Sequence, residues 1–285
     1  MTEKEILLTS ILDCSRTALY ADRLNLDAQA AKGLSRALSL RSRGFPLQYI
    51  LGEMEFFGLK FKVDKRVFIP RPETELLVET AIRKIANRLP AGRQDKSQIA
   101  TILDIGTGSG CIAVSLAKFL PSCEITAIDI SYDALAVAKE NAILNSVSEK
   151  INFIQSDLFT PLETREQPGN RKISLTGFTE YGLIISNPPY IRSGDIKNLQ
   201  REVKYEPRLA LDGGYDGLDF YHKIVNEAPN FLKKGGWLLL EMGFKQCGKI
   251  RSILQKSKNF EIMDVLRDYS GIERVMVARR LDIDG

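Results

Sequence analysis

After residue 98 the chain alternates short apolar runs with longer amphipathic segments, and this alternation limits the possible folds more than any other feature. Runs rich in β-branched residues predict buried strands, and apolar residues at helical spacing predict helices between them. Alternating strands and helices are typical of a parallel sheet covered on both faces, so we expect an α/β fold. The predicted strands lie at about 99–105, 123–130, 151–157, 181–186, 236–241, 260–267 and 273–279, and the predicted helices at about 109–119, 131–146, 217–232 and 244–256.

The N-terminal part of the chain has a purely helical pattern. Apolar residues recur at helical spacing from Thr2 to about Tyr20, a second helix is predicted to begin at about Asp27, and Leu47–Leu51 adds a further turn. Residues 1–52 therefore form a small helical unit. Their pattern leaves two interpretations open, because the unit could cap the main domain or dock a macromolecular substrate.

A connecting region joins the two parts. Glu55–Val63 alternates polar and apolar residues around a glycine, which predicts a hairpin. Pro72 then stands in the first turn of a helix that is predicted to run to about Leu89. The polar stretch 90–97 predicts a flexible linker, and the long polar stretch 160–180 predicts a surface insertion.

Composition and charge narrow the classes of protein. The 285 residues are 44% apolar and 27% charged, which is ordinary for a soluble globular protein. The formal net charge of +4 is mild and no dense block of lysine and arginine occurs, so direct binding to nucleic acid is not expected. No segment has the length of a membrane span or the pattern of a signal peptide, so we expect a cytoplasmic protein without membrane contact.

The cysteines and the histidine do not indicate a metal site. Cys14, Cys111, Cys123 and Cys247 lack the paired spacing of zinc ligands, and His222 is the only histidine. We therefore expect no metal and buried, reduced thiols, which agrees with a cytosolic location.

The first strand of the α/β region ends in an acidic residue and a glycine-rich loop. Glycines at such a position permit a sharp turn and let the backbone contact a ligand. The dinucleotide fingerprint would need one more glycine, where this chain has Cys111, and Asp104 would repel a pyrophosphate but attract the ammonium of an amino-acid moiety. The alternative is a tight turn that binds nothing. The loop consists of Gly106, Thr107, Gly108, Ser109 and Gly110.

Two further carboxylates follow the next two predicted strands. Asp129 lies about 20 residues after Gly106, the spacing expected of an acid that binds ribose hydroxyls. Asp157 stands at the same edge of the sheet, where it suits an adenine amino group. Asp129 could instead cap the following helix. Because open α/β sheets bind ligands at the carboxyl ends of their strands, we expect Asp104, Asp129, Asp157 and Asn187 to share one crevice.

The tetrapeptide Asn187-Pro188-Pro189-Tyr190 directly follows the fourth predicted strand. The consecutive prolines remove two backbone donors and force the chain to leave the strand in an extended path. The Pro188 carbonyl and the Asn187 side-chain oxygen then form two acceptors suited to a planar NH₂ group, and Tyr190 can cover its face. The sequence thus predicts a pocket for an amine or amide nitrogen. The alternative is a strand-ending turn followed by an aromatic residue that only packs.

These motifs together resemble the class I S-adenosylmethionine methyltransferases, and more narrowly the HemK family of release-factor glutamine N5-methyltransferases. The resemblance covers nearly the whole chain. The segments that carry it are Pro46–Gly52, Ile69–Glu75, Asp104–Gly110, Asn187–Tyr190, Glu206–Arg208 with Ala210 and Leu211, Asp216–Leu218 and Leu238–Glu241.

The resemblance implies a fold, a reaction and a substrate. The implied fold is a Rossmann-like sheet of seven strands whose last strands run antiparallel, with a helical N-terminal domain and a β-hairpin connector. Residues 1–70 would form the docking domain with its connector, and residues 71–285 the methyltransferase domain. S-adenosyl-L-methionine would give its methyl group to the glutamine of the Gly-Gly-Gln motif in peptide chain release factors and leave as S-adenosyl-L-homocysteine.

The resemblance also implies roles for individual residues. Direct methyl transfer, without a covalent enzyme intermediate or a general base, would take place at Asn187, Pro188, Pro189 and Tyr190, with Phe68 as an additional contact for the amide. Leu158 stands where some family members carry tryptophan. The implied cofactor-binding residues are Asp104, Gly106, Thr107, Gly108, Ser109, Gly110, Asp129, Ile130, Asp157, Leu158 and Asn187.

Two rival functions fit parts of the sequence. The tetrapeptide also occurs in methyltransferases that act on adenine N6 or guanine N2 of nucleic acids, but these usually need many phosphate-binding lysines and arginines. A nucleoside-binding assembly factor could keep the fold without catalysis. Such a factor would not need Asn187 with both prolines.

Overall fold

The computed structural model describes residues 2–21, 27–86, 100–161 and 180–282. The helices are α1 (Glu3–Ile11), α2 (Arg16–Ala21), α3 (Ala28–Ser42), α4 (Leu47–Leu51), α5 (Pro72–Ala86), α6 (Cys111–Phe119), α7 (Tyr132–Leu144), α8 (Asp219–Glu227) and α9 (Cys247–Ser257). The strands are β1 (Glu53–Phe56), β2 (Leu59–Lys62), β3 (Ala100–Ile105), β4 (Cys123–Asp129), β5 (Ile151–Asp157), β6 (Thr160–Pro161), β7 (Tyr181–Ser186), β8 (Leu232–Glu241), β9 (Phe260–Arg267) and β10 (Glu273–Arg280).

The large sheet confirms the expected α/β fold. Its strand order is β6-β5-β4-β3-β7-β8-β10-β9. The neighbours β5, β4, β3, β7 and β8 run parallel to one another. Strand β10 lies between β8 and β9 and runs antiparallel to both, so the antiparallel end of the sheet is confirmed as well. The seven predicted strands are all present, and the two-residue β6 extends one edge.

Some boundaries differ from the sequence predictions for local reasons. The predicted N-terminal helix is interrupted, because Asp13 has a positive φ between α1 and α2. Helix α8 ends at Glu227, and a 3₁₀ turn that contains Pro229 follows it. Strand β8 begins four residues earlier than predicted, since Leu232 pairs with Tyr181. The predicted linker 90–97 and residues 162–179 of the predicted insertion lie outside the described residues.

Strand β7 separates the two hydrophobic cores that flank the sheet. Its Leu183 and Ile185 face the core formed with α5 and α6, whereas Ile184 faces the core formed with α8 and α9. Alternate side chains of a strand point to opposite faces, and both faces are covered here. This two-sided burial explains why the strand has a continuous apolar sequence, and it places Asn187 at a rigidly held strand end.

The hairpin β1–β2 packs onto the α/β core. Phe56 and Phe61 are almost fully buried in the same core as α5 and α6, and their rings meet edge to face. Burying a phenylalanine side chain stabilises the fold by about 1.5–3 kcal/mol. The hairpin therefore anchors the chain that leads to α5. The boundary between two domains at residue 70 stays a prediction.

Asn141 on α7 ties the hairpin to the glycine-rich loop. Its amide accepts from the Lys62 N–H at 2.7 Å and donates to the Lys62 carbonyl at 3.0 Å and to the Ser109 carbonyl at 2.9 Å. The side chain is completely buried, so water cannot replace these partners. Asn141 thus holds three elements in a fixed arrangement next to the cleft.

Replacing Asn141 by alanine removes all three hydrogen bonds, leaving part-buried backbone groups of Lys62 and the buried Ser109 carbonyl without this partner. We expect the free energy of unfolding to fall by about 2–4 kcal/mol, because each buried group left unpaired costs roughly 1–3 kcal/mol. Urea denaturation measures this change. The matched control is Asn152→Ala at an exposed position of β5, and an equal loss in both variants would contradict the assignment.

Candidate active site

A cavity of about 370 Å³ lies at the carboxyl ends of the parallel strands. This is the edge of an open α/β sheet at which ligands bind. The loops after β3, β4, β5 and β7 line the cavity, and the connector between β2 and α5 closes one side. The predicted site residues on its wall are Gly106, Thr107, Gly108, Ser109, Asp129, Ile130, Asp157, Leu158, Asn187, Pro188, Pro189 and Tyr190, and Phe68 joins them.

The glycine-rich loop leaves open space on the cavity side. Gly106 and Gly108 have φ values of +71° and +56°, a region that side chains rarely adopt. A Cβ atom at Gly106 would meet nothing within 4 Å, so the backbone here is exposed to a ligand. Gly110 differs, because a Cβ there would approach the Ala138 Cβ to 3.0 Å. Gly110 therefore serves the packing of α7 rather than the cavity wall.

Asp104 is placed differently from the sequence expectation. Its carboxylate has no exposed surface and lies beneath the loop, away from the cavity wall. The Thr107 hydroxyl donates to one oxygen at 2.6 Å, and the other oxygen has no hydrogen-bond partner among the described residues. Burial raises the pKa of Asp104 to about 7. Asp104 is thus not part of the cavity wall, and its role in cofactor binding stays a prediction.

Asp129 faces the cavity and braces the loop at the same time. One carboxylate oxygen accepts from the Gly108 N–H at 2.9 Å, and the other accepts from the Ser131 N–H at 2.9 Å. Ser131 is the N-cap of α7, because its hydroxyl accepts from the Ala134 N–H. Burial raises the pKa of Asp129. A carboxylate has about four acceptor positions, so Asp129 retains capacity for hydroxyl groups of a ligand.

An apolar wall continues the cavity beyond Asp129. Ile130 is 39% exposed although it is a large aliphatic residue, and Leu158 lies opposite on the loop after β5. Leu158 adopts a positive φ, and the Ser156 hydroxyl donates to its carbonyl at 2.6 Å. Two aliphatic side chains and the Asp157 carboxylate in one cavity wall suit a flat, apolar ring with polar edges.

The corner after β7 presents the two expected acceptors. The Asn187 amide donates through Nδ2 to the Thr74 hydroxyl at 3.1 Å, which leaves Oδ1 as its free acceptor. No hydrogen bond from a described residue reaches the Pro188 carbonyl. Pro188 and Pro189 both line the cavity, so the corner contributes to the wall rather than only ending a strand.

Residues that the sequence analysis did not select hold this corner in place. A Cβ atom at Gly213 would lie 2.7 Å from the Pro189 carbonyl, and one at Gly243 would lie 2.8 Å from the Tyr190 ring, so both positions need glycine. Gln246 donates to the Tyr190 carbonyl at 3.0 Å. Burial raises the pKa of Tyr190 to about 12, which keeps its hydroxyl neutral.

The connector is held against the cavity by Glu206. This buried carboxylate accepts from the Ile69 N–H at 3.0 Å and forms an ion pair with Arg71. The Arg71 guanidinium in turn lies 4.7 Å from the centre of the Phe68 ring. The arrangement fixes Phe68 on the cavity wall across from the corner. Arg71 and Glu206 belong to two of the segments that carry the family resemblance, Ile69–Glu75 and Glu206–Arg208. The sequence alone does not show that these two residues form an ion pair.

Within the described ranges 2–21, 27–86, 100–161 and 180–282, no group of three or more His, Cys, Asp or Glu side chains could hold a metal ion. None of the helices in these ranges has the length and apolar character needed to cross a membrane.

Comparisons with known proteins agree with this geometry. A model of the methyltransferase small domain matches residues 83–203, and a model of the PrmC N-terminal domain matches residues 2–52. The release factor glutamine methyltransferase of Chlorobaculum tepidum is 40% identical over 95% of this chain and 87% of its own length. The protein of the same name from Geobacter sulfurreducens is 40% identical over 97% of this chain and 88% of its own length.

A solved structure shows the same fold. A methyltransferase from Pyrococcus furiosus superimposes with a TM-score of 0.53 and 18% identity, covering 79% of this chain and 91% of that chain. At this level of identity the likeness concerns the fold alone.

The burial of Asp104 generates a prediction about stability and pH. Its folded-state pKa of about 7 exceeds the ordinary value of 3.8, so between these values the folded protein binds more protons than the unfolded chain. The contribution of Asp104 is favourable at low pH and is lost as the pH rises through about 7. In Asp104→Asn we expect a smaller loss of unfolding free energy with rising pH, by roughly 1–4 kcal/mol.

Urea denaturation at several pH values between 4 and 8 measures this difference. Asp157→Asn, which alters an exposed carboxylate at the same edge of the sheet, is the matched control. Parallel pH profiles of the wild type and Asp104→Asn would contradict the burial assigned to Asp104.

Proposed function

The chain belongs to the release factor glutamine methyltransferase family, and we propose that it transfers a methyl group from S-adenosyl-L-methionine to the side-chain nitrogen N5 of the glutamine in the Gly-Gly-Gln motif of peptide chain release factors. One observation carries the proposal. A single cavity joins the open glycine-rich loop to a corner whose free acceptors are the Asn187 side-chain oxygen and the Pro188 carbonyl.

The residues of the cavity suit the cofactor. The open space at Gly106 and Gly108 allows the backbone to contact the methionine part, Asp129 can accept from the ribose hydroxyls, and Ile130 with Leu158 can enclose the adenine. Asp157 at the rim suits the adenine amino group. When bound, S-adenosylmethionine supplies an electrophilic methyl group on a positively charged sulfur. In its ionised form, Asp104 beneath the loop adds negative potential near that charge.

The corner after β7 overcomes the low reactivity of the substrate. An amide nitrogen is a poor nucleophile, because its lone pair is delocalised into the carbonyl. Two acceptors that bind both hydrogens of the substrate NH₂ orient the nitrogen and increase its electron density. Asn187 and Pro188 supply them, and Tyr190 with Phe68 can hold the amide plane. The acceptors raise the rate only as far as they bind the transition state more tightly than the ground state.

Alignment is the main contribution of the protein to the rate. Holding two reactants in line can lower a barrier by up to roughly 7–11 kcal/mol. The rigid prolines, the close-packed glycines and the connector all restrict the direction from which the glutamine enters. No side chain of the described cavity is assigned as a general base, and the proton is released to water after the transfer.

The substrate is a protein, which gives the N-terminal region a role. We propose that residues 1–70 dock the release factor and that residues 71–285 bind the cofactor and perform the transfer. Firm packing of the hairpin on the α/β core supports this division of labour, because docking at the connector would align the glutamine with the corner. Because release factors work on the ribosome, we place the reaction in the cytoplasm.

A labelled-methyl assay tests the function directly. Purified protein is incubated with methyl-labelled S-adenosylmethionine and either a release factor, the same factor with Gly-Gly-Ala, or DNA. We expect label only in the Gly-Gly-Gln protein, and a loss of at least about hundredfold in Asn187→Ala because the reacting nitrogen is no longer held. Label in DNA, or equal label in both release factors, would contradict the proposal.

The assigned role of Asp129 predicts a selective loss of cofactor affinity. Asp129→Ala removes the acceptor for the ribose and a brace of the Gly108 N–H, so we expect S-adenosylmethionine to bind roughly 10–100-fold more weakly, the equivalent of about 1.4–2.7 kcal/mol. Calorimetry measures the affinity. An unchanged dissociation constant would remove Asp129 from the cofactor site.

A further inference from the structure

Two buried polar side chains lie beneath Asn187 and have no role in the reaction described so far. Thr74 belongs to the first turn of α5 and is 1% exposed, and Glu241 ends β8 and is 2% exposed. Thr74 and Glu241 are far apart in the sequence, and both lie next to Asn187 at the end of β7. Burying an ionisable group without function is costly, so the pair requires an explanation.

The contacts among the three residues have a direction. Asn187 donates through Nδ2 to the Thr74 oxygen at 3.1 Å, so the hydroxyl is the acceptor in that bond. A hydroxyl has a single hydrogen, so the Thr74 hydrogen remains available for another acceptor. The Glu241 carboxylate lies close by, because Ser186 pairs with Leu240 and the next residues of the two strands are Asn187 and Glu241. Its buried Oε2 has no hydrogen-bond partner among the described residues. The buried Glu241 oxygen is therefore an acceptor toward which the Thr74 hydrogen can turn.

We propose that Glu241 and Thr74 are positioning residues that keep the Asn187 amide in one orientation, with its oxygen facing the substrate nitrogen. The reason is the hydrogen-bonding chemistry of a carboxylate. An ionised carboxylate only accepts hydrogen bonds, so Thr74 must donate to it and must accept from the Asn187 NH₂ group. The Asn187 oxygen is then the group left for the cavity.

The buried charge has a second effect on the acceptor. Hydrogen bonds in a chain polarise one another, and a low-dielectric interior strengthens each of them. Negative charge on Glu241 thus increases electron density on the Asn187 oxygen, at the opposite end of the chain. If Glu241 is protonated, Thr74 can reverse and donate to the Asn187 oxygen. The amide then turns its NH₂ group toward the substrate NH₂ group, and two donors face each other.

This orientation depends on pH, because Glu241 titrates near neutrality. Burial raises its pKa to about 7, although the neighbouring Thr74 and Asn187 side chains lower it. Glu73 on α5 raises the pKa further and Arg274 on β10 lowers it. The remaining titratable groups that interact with Glu241 are Tyr190, Tyr221 and Cys111, each with a raised pKa of its own. Turnover should therefore rise as the pH increases through about 7.

The inference rests on the proposed function, and its test separates the two. Turnover at saturating cofactor and release factor is measured between pH 5.5 and 8.5 for the wild type, Glu241→Gln, Thr74→Val and Thr74→Ser. Glu73→Gln is the matched control, since it removes a neighbouring carboxylate that is more exposed and pairs with Arg274. Cofactor affinity by calorimetry and the thermal midpoint are recorded for each variant.

We expect Glu241→Gln and Thr74→Val to lower kcat up to roughly hundredfold, because the Asn187 oxygen loses its fixed orientation. Cofactor affinity should stay within about twofold, since the cofactor-binding residues are unchanged. The rise of kcat near pH 7 should disappear in Glu241→Gln and persist in Glu73→Gln. Thr74→Ser keeps the hydroxyl and should restore most of the rate.

Three results would overturn the inference. Glu241→Gln could keep both the rate and the rise near pH 7, Thr74→Ser could be as inactive as Thr74→Val, or Glu73→Gln could abolish the rise equally. If Glu241→Gln does not fold, the comparison of Thr74→Val with Thr74→Ser decides. An inactive wild-type protein would contradict the proposed function itself, and the inference falls with it. An active wild type with unchanged variants overturns the inference alone.

Discussion

The site depends on one constraint: two carbonyl oxygens must face the same point of the cavity without any donor of the protein occupying them. The prolines after β7 achieve this for the backbone, because Pro188 and Pro189 have no N–H with which to continue the sheet. Asn187 achieves it with a side chain whose NH₂ group is held from behind by Thr74. The surrounding loops approach so closely that glycine is required at Gly213 and Gly243. Their packing makes the corner rigid, which is what the alignment of a weak nucleophile needs.

The glycine-rich side of the cavity is also held by buried hydrogen bonds. Asn141 fixes the glycine-rich loop to the hairpin, and Asp129 fixes it from the other side. Glu206 holds the connector against the cavity through the Ile69 N–H and Arg71. Hydrogen bonds and an ion pair therefore hold the glycine-rich loop, the connector and the corner after β7 in place. Under the proposed function, a release factor docked near the connector would find the methyl donor and the acceptors already in position.

Much of this could be predicted from the sequence, for identifiable reasons. Strand β7 is apolar, β-branched and ended by prolines, so its position and end were both clear from local signals. The rule that ligands bind at the carboxyl ends of parallel strands brought Asp129 and Asn187 into one cavity. The sequence did not show that Asp104 is buried beneath the loop or that Gly110 packs against Ala138, because both depend on contacts between elements. The contacts of Thr74 and Glu206 could not be predicted from local sequence patterns. Thr74 meets Asn187 across 113 residues and Glu206 meets Ile69 across 137 residues, and only the folded chain joins them.

The central claim is that the NH₂ group of the substrate glutamine donates hydrogen bonds to two oxygens of the protein. A crystal structure of the protein with S-adenosylhomocysteine and a Gly-Gly-Gln peptide tests it most directly. The account predicts that the glutamine nitrogen lies within about 3.2 Å of both the Asn187 side-chain oxygen and the Pro188 carbonyl, with the sulfur on the opposite side. A glutamine whose oxygen faces the corner, or whose nitrogen lies beyond hydrogen-bond distance from both acceptors, would contradict it.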